Sequence, residues 1–124
     1  MKHDTDVLVI GAGIGGLTLA LSLHQAGIPC IVCEAAPEIR PLGVGINVLP
    51  HAVRELDELG LLDALAAVGI QTKESAFFNR HGQLIYVEPA GRHAGYDWPQ
   101  FSIHRGDLQA VLANATRSIH PGVN

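Results

Sequence analysis

Apolar residues run without a break through VLVI at 7–10 and follow a polar lead-in. The run predicts a strand over 5–10, buried on both faces as in a parallel sheet. From residue 14 the spacing becomes helical: IGGLTLALSLHQA (14–26) puts Leu17, Ala20, Leu21 and Leu23 on one packing side. Gly27 and Pro29 mark its end. PCIVCE (29–34) is again apolar until Glu34 and predicts a second strand. Strand, Gly-rich turn, helix and strand in about thirty residues make a βαβ unit.

The next stretch, AAPEIRPLGVGINVLP (35–50), carries three prolines and two glycines and reads as one long loop. A short helix over 50–60 follows, with Val53, Leu56 and Leu59 on one face and Gly60 as its stop. LLDALAAVG (61–69) adds a further short helix or turn. Period-two alternation on both sides of His81-Gly82 predicts a β-hairpin over 75–89. Residues 90–99 read as loop and 101–105 as a short strand. Residues 106–119 read as an amphipathic helix with the stripe Leu108, Val111, Leu112, Ala115 and Ile119. Only two parallel strands are accounted for, and two strands do not make a stable open sheet. The chain is therefore expected to be the first part of a longer protein.

Composition narrows the class. A chain of 124 residues supports one small core, and 48% hydrophobic against 16% charged residues excludes a disordered segment. The formal charge is −4 with no basic run, so no nucleic-acid partner is expected. Backbone N–H groups at a helix start still let a negative chain hold a diphosphate. MKHDTD ahead of the first apolar run is no signal peptide, and the run is too short and glycine-broken to span a membrane. The expected compartment is the cytoplasm. Cys30 and Cys33 form a C-x-x-C inside a predicted strand, where residues three apart point to opposite faces. They read as small apolar core residues, not as a redox or zinc pair. The seven histidines show no metal spacing and read as structural or surface residues.

Chemistry concentrates between the first strand and the first helix. Gly11-Ala12-Gly13-Ile14-Gly15-Gly16 is a G-x-G-x-x-G turn in the context that motif requires. Gly11 permits the tight turn, Gly13 lets the backbone approach a pyrophosphate, and Gly16 lets the helix pack close to the strand. Glu34 closes the second strand 23 positions after Gly11, where an acid hydrogen-bonds adenosine ribose hydroxyls and repels a 2′-phosphate. The site so read is for FAD or NAD and against NADP, in an α/β fold of Rossmann-like type.

Beyond Glu34 the chain resembles the single-component FAD-dependent aromatic hydroxylases, a family of flavoprotein monooxygenases. The residues that carry the resemblance are DVLVIGAGIGGLTLALSLHQAGI, Glu34, RPLGVGINVLPHAVRELDELGL and FSIHRGDLQAVL. The resemblance implies that Gly11, Gly13, Ile14, Gly15 and Gly16 hold the FAD pyrophosphate, and that Glu34 and Ala35 lie at the adenosine ribose. It implies that Gly43, Val44 and Gly45 pass close to the isoalloxazine ring and that Arg105 reaches the FAD phosphates. Arg40 is a second phosphate candidate. A guanidinium forks onto phosphate oxygens, and at a helix start the dipole disfavours a cation that lacks an anionic partner.

The organisation so implied is an FAD-binding first part at 1–72, a hairpin excursion of a substrate domain at 73–100, and a return at 101–124. The implied activity is NAD(P)H-dependent hydroxylation of a small aromatic substrate by O2, with oxygen activated at the flavin C4a position. The later Asp-Gly and Gly-Asp segments of the family are not within these residues, so the isolated segment is expected to be inactive. A dehydrogenase-type Rossmann domain would continue after residue 34 with a helix and a third parallel strand. A truncated product with residual nucleotide binding is the other alternative.

Overall fold

The computed structural model describes residues 6–36 and 43–119. It is a mixed α/β structure whose chain divides into two compact units. The first comprises residues up to Val44 and from His104 onward; the second comprises Gly45–Ile103.

In the first unit, β1 (Val7–Ile10) pairs in parallel with β2 (Cys30–Cys33), Val7 opposite Cys30 through Ile10 opposite Cys33. Between them runs α1 (Ile14–Gln25), which packs on both strands and on α4 (Arg105–Ile119). The core consists of Val9 and Val32 from the strands, Leu17, Ala20 and Leu21 from α1, and Leu108, Leu112 and Ala113 from α4. Leu23 is only half-buried. Gly27, with φ +76°, follows the end of α1 where the left-handed turn is needed.

Three expectations need correction in this unit. The first strand is buried on one face only: Val9 is 5% exposed, but Leu8 is 59% and Ile10 75% exposed. The helices cover the Val9–Val32 face, and among the described residues nothing covers the face of Leu8, Ile10, Ile31 and Cys33. For the same reason the cysteines are not core residues. Cys33 is exposed and Cys30 half-buried, and both are free thiols. The third correction concerns α4, whose buried line runs through Leu108, Leu112 and Thr116, while Val111, Ala115 and Ile119 are half-buried. Thr116 is 2% exposed because its hydroxyl donates to the Leu112 carbonyl at 2.8 Å, one turn back, and so enters the core with its polar atom paired.

In the second unit, α2 (Pro50–Glu58) and α3 (Leu62–Val68) lie beside a three-stranded sheet of order β3 (Gly45–Val48), β7 (Gln100–His104), β4 (Ile70–Thr72). Two of these strands correct the sequence reading: residues 45–48 are not loop, and 70–72 form a strand antiparallel to β7. Each is too short to show a period of its own, and each forms because β7 supplies its ladder. Ser102 at the centre shows the arrangement: its hydroxyl donates to Asn47 Oδ1 at 3.0 Å and lies 2.7 Å from the Thr72 hydroxyl. Phe101, Ile103, Val48, Val53, Leu56 and Leu65 fill this core.

The hairpin of β5 (Glu74–Phe78) and β6 (Leu84–Pro89) forms where alternation predicts it. Gly82 at φ +78° makes the turn, and the Asn79 carboxamide oxygen accepts from the His81 and Gln83 N–H groups. Phe77 stacks on Tyr86 across the strands at 6.2 Å. Both rings stay half-exposed, as do Phe78, Leu84 and Ile85. Residues 91–94 form a 3-10 turn within the predicted loop.

Candidate functional site

β1 ends at Ile10 and the chain turns at Gly11, which has φ +103°. The Gly11 N–H donates to the Cys33 carbonyl at 2.6 Å and ties the turn to the end of β2. Gly13 is the extended N-cap of α1, and no side chain caps the helix. The first bond of α1 runs from the Leu17 N–H to the Gly13 carbonyl at 3.0 Å. Among the described residues, the N–H groups of Gly13, Ile14, Gly15 and Gly16 have no acceptor. The first turn carries no acidic side chain, so the positive end of the dipole is also unmatched.

The glycines differ in what they serve. A Cβ on Gly16 would collide with the Gly11 carbonyl oxygen and stand 3.3 Å from Val9 Cγ1, so Gly16 sets the close approach of helix and strand. A Cβ on Gly13 or Gly15 would meet no atom within 4 Å. The missing side chains there serve no internal packing; they leave open backbone beside unpaired donors. An anionic group fits that cradle.

Glu34 follows β2 directly, half-buried, and among the described residues its carboxylate has no hydrogen-bond or ion-pair partner. Ala35 beside it is exposed. The bond from Gly11 to Cys33 places this strand end next to the turn. Ionised Glu34 oxygens are acceptors only, so the carboxylate offers a free acceptor at this strand end.

Arg105 opens α4, and its N–H donates to the Val44 carbonyl at 2.9 Å. A Cβ on Gly43, which has φ +127°, would stand 3.1 Å from both Cβ and Cδ of Arg105. The bare Gly43 backbone thus lets the arginine stem lie against it. Among the described residues the guanidinium has no partner. His104 accepts the Gly106 N–H through Nδ1 at 3.1 Å and serves as a helix-start acceptor, in keeping with the structural role expected of the histidines.

One residue that the sequence reading missed joins these parts. Gln109 Nε2 donates to the Ala12 carbonyl at 2.9 Å. Gln109 is four residues after Arg105, so the two share a face of α4, about 6 Å apart along the axis. That contact sets the α4 face shared by Gln109 and Arg105 toward the glycine turn. The available signal was a polar residue one position off the buried line of Leu108 and Leu112. The structure therefore gathers Gly11, Gly13, Ile14, Gly15, Gly16, Glu34, Ala35, Gly43, Val44 and Arg105 in one unit. Gly45 begins β3 in the other unit, with open space where a Cβ would stand. Arg40 lies outside the described residues.

A cavity of about 580 Å³ lies in the second unit, lined in part by His51, Arg54, Glu88, Tyr96 and Trp98. Two of its groups are committed internally: Trp98 Nε1 donates to Asp57 at 3.1 Å, and Arg54 lies over the Trp98 ring and within 3.7 Å of Glu55. The cavity is lined by none of the candidate cofactor-binding residues.

After Glu34 the described chain passes to β3 and does not add a third parallel strand to β1 and β2, so the dehydrogenase alternative is not favoured. Among the described residues no helix is long and apolar enough to cross a membrane. Residues 4–118 match the FAD binding domain family. A phenazine 1,6-dicarboxylic acid hydroxylase of Lysobacter antibioticus is 53% identical over 92% of the chain and 28% of its own length. A 3-amino-4-hydroxybenzoate 2-monooxygenase of Streptomyces cremeus is 39% identical over 92% of the chain and 30% of its own length. Among solved structures, a tetrameric 2-methyl-3-hydroxypyridine-5-carboxylic acid oxygenase superposes with TM-score 0.80 and 27% identity over 98% of the chain and 31% of its own. The chain thus spans under a third of the length of these relatives. With a match over nearly its whole length, the chain belongs to the FAD binding domain family.

Proposed function

We propose that the chain is the N-terminal FAD-binding part of an NAD(P)H-dependent monooxygenase that hydroxylates an aromatic acid. The observation that carries this reading is the open start of α1: four N–H groups without an acceptor among the described residues, in the same unit as an Arg105 guanidinium that also lacks a partner there. One diphosphate would satisfy both. The N–H groups from Gly13 to Gly16 would hold the diphosphate by charge-assisted hydrogen bonds, and Arg105 would neutralise its charge. Glu34 would accept from the ribose hydroxyls, with Ala35 next to it. Gly43, Val44 and Gly45, bare of large side chains at 43 and 45, would run beside the flavin ring. Bound in this way, FAD supplies electron storage and oxygen activation, which no side chain of the chain supplies.

An aromatic acid as substrate is supported by the relatives named for a phenazine dicarboxylic acid and an aminohydroxybenzoate. The hairpin of β5 and β6 would belong to the sheet that covers that substrate, and 1–72, 73–100 and 101–124 would be first part, excursion and return. The proposal includes a cytoplasmic setting, where reduced nicotinamide cofactors are available.

The test is a visible absorption spectrum of the protein purified at its full natural length. Flavin bands released as FAD on denaturation are expected, together with oxidation of NADH or NADPH that an aromatic acid accelerates. A colourless protein that binds NAD and takes up no FAD refutes the proposal.

A further inference from the structure

Gln109 reaches across 97 positions of sequence to the Ala12 carbonyl. Ala12 is buried, between the turn glycine Gly11 and the N-cap Gly13. In an uninterrupted helix the Ala12 carbonyl would be the acceptor for the Gly16 N–H, four residues on. Here the ladder starts one residue later, with Leu17 on Gly13, and the Ala12 oxygen is served by Gln109. The peptide between Ala12 and Gly13 is trans. Its C=O and N–H therefore point in opposite directions from one rigid plane. A carbonyl held toward α4 turns the Gly13 N–H away from α4, out of the chain's own hydrogen bonding.

We infer that Gln109 is a positioning residue for the diphosphate: it fixes the Ala12–Gly13 peptide so that the Gly13 N–H stays presented and the Gly16 N–H stays unclaimed. The inference rests on the FAD reading and extends it to a side chain that need not touch the cofactor. Packing does not require Gln109, which is half-exposed while Leu108 and Leu112 carry the helix contact.

The test uses Gln109→Met, which keeps length and removes the donor, and Gln109→Glu, which turns an acceptor toward the carbonyl. Both are made in the protein at full natural length and stripped of flavin. FAD affinity is read by fluorescence titration, the bound diphosphate by its phosphorus NMR shifts, and the apoprotein by its melting temperature. Removing one oriented hydrogen bond is expected to weaken FAD about threefold to tenfold in the Met variant, and more in the Glu variant. The phosphorus resonances should move, and apoprotein melting should stay within about 2 °C of wild type, as for a surface substitution. Unchanged affinity and unchanged resonances in variants of a wild type that binds FAD overturn the inference alone. Loss of melting temperature in step with loss of affinity in both variants assigns Gln109 to packing and also overturns it. A wild type that takes up no FAD removes the inference together with the reading beneath it.

Discussion

Replacing Gly16 by alanine tests the contact that positions the whole turn. The new methyl would collide with the Gly11 carbonyl oxygen, with that carbonyl's carbon 3.1 Å away and Val9 Cγ1 at 3.3 Å. Neither obstacle is the free end of a flexible side chain. The carbonyl is backbone next to a bond of 2.6 Å to Cys33, and Val9 is core. Helix α1 must therefore move off β1, at a cost of about 1–3 kcal/mol for overpacking. Alanine's better helix propensity offsets at most about 1 kcal/mol.

Gly15→Ala is the control. It adds the same methyl one residue earlier, into open space, in the same helix turn. It gains the propensity without the clash. The propensity gain is common to both variants, so at about 2–4 °C per kcal/mol in a domain of 150–250 residues Gly16→Ala should put the apoprotein melting temperature roughly 2–12 °C below that of Gly15→Ala. Gly15→Ala should leave it unchanged or raise it. Differential scanning calorimetry of the flavin-free protein, followed by FAD titration, reads both. If the two variants melt together, the turn does not depend on close approach at Gly16.

Two further outcomes follow from the unpaired groups of the site. Glu34→Ala should weaken FAD about 10- to 100-fold, the range for a hydrogen bond to a charged group. It should leave apoprotein stability within about 0.5 kcal/mol, since Glu34 has no partner among the described residues; titration and melting of one preparation check both. Arg105→Ala should weaken FAD and flatten the salt dependence of its binding. The apoprotein should be no less stable, because a cation at a helix N-terminus is unfavourable by about 0.3–1 kcal/mol; a marked fall in melting temperature would show that the arginine has a structural partner.

The parts legible in the sequence are those fixed by local chemistry. The glycine turn is one: Gly11 has a positive φ, and Gly16 has no room for a side chain. The hairpin around Gly82 is another, since alternation and turn residue act within a few positions. Strands β3 and β4 were not legible because each draws its hydrogen bonds from β7, roughly 30 to 55 residues downstream. The uncovered face at Leu8 and Ile10 escaped the same reading. An apolar run reports what a strand is suited to bury, not what covers it. Thr116 was passed over as polar, although its hydroxyl is satisfied by its own helix. Gln109 was missed because its partner, Ala12, lies near the other end of the chain.

That distance also bears on when the site comes into being. A ribosome adds about 5–20 residues per second, so the Ala12 carbonyl waits roughly 5–20 s for the residue that secures it. Until α4 emerges and docks on α1, the Ala12 carbonyl lacks its Gln109 donor. Flavin bound before then would meet a turn without that bond. On the proposed role of Gln109, stable loading would belong to the period after residue 109 is made.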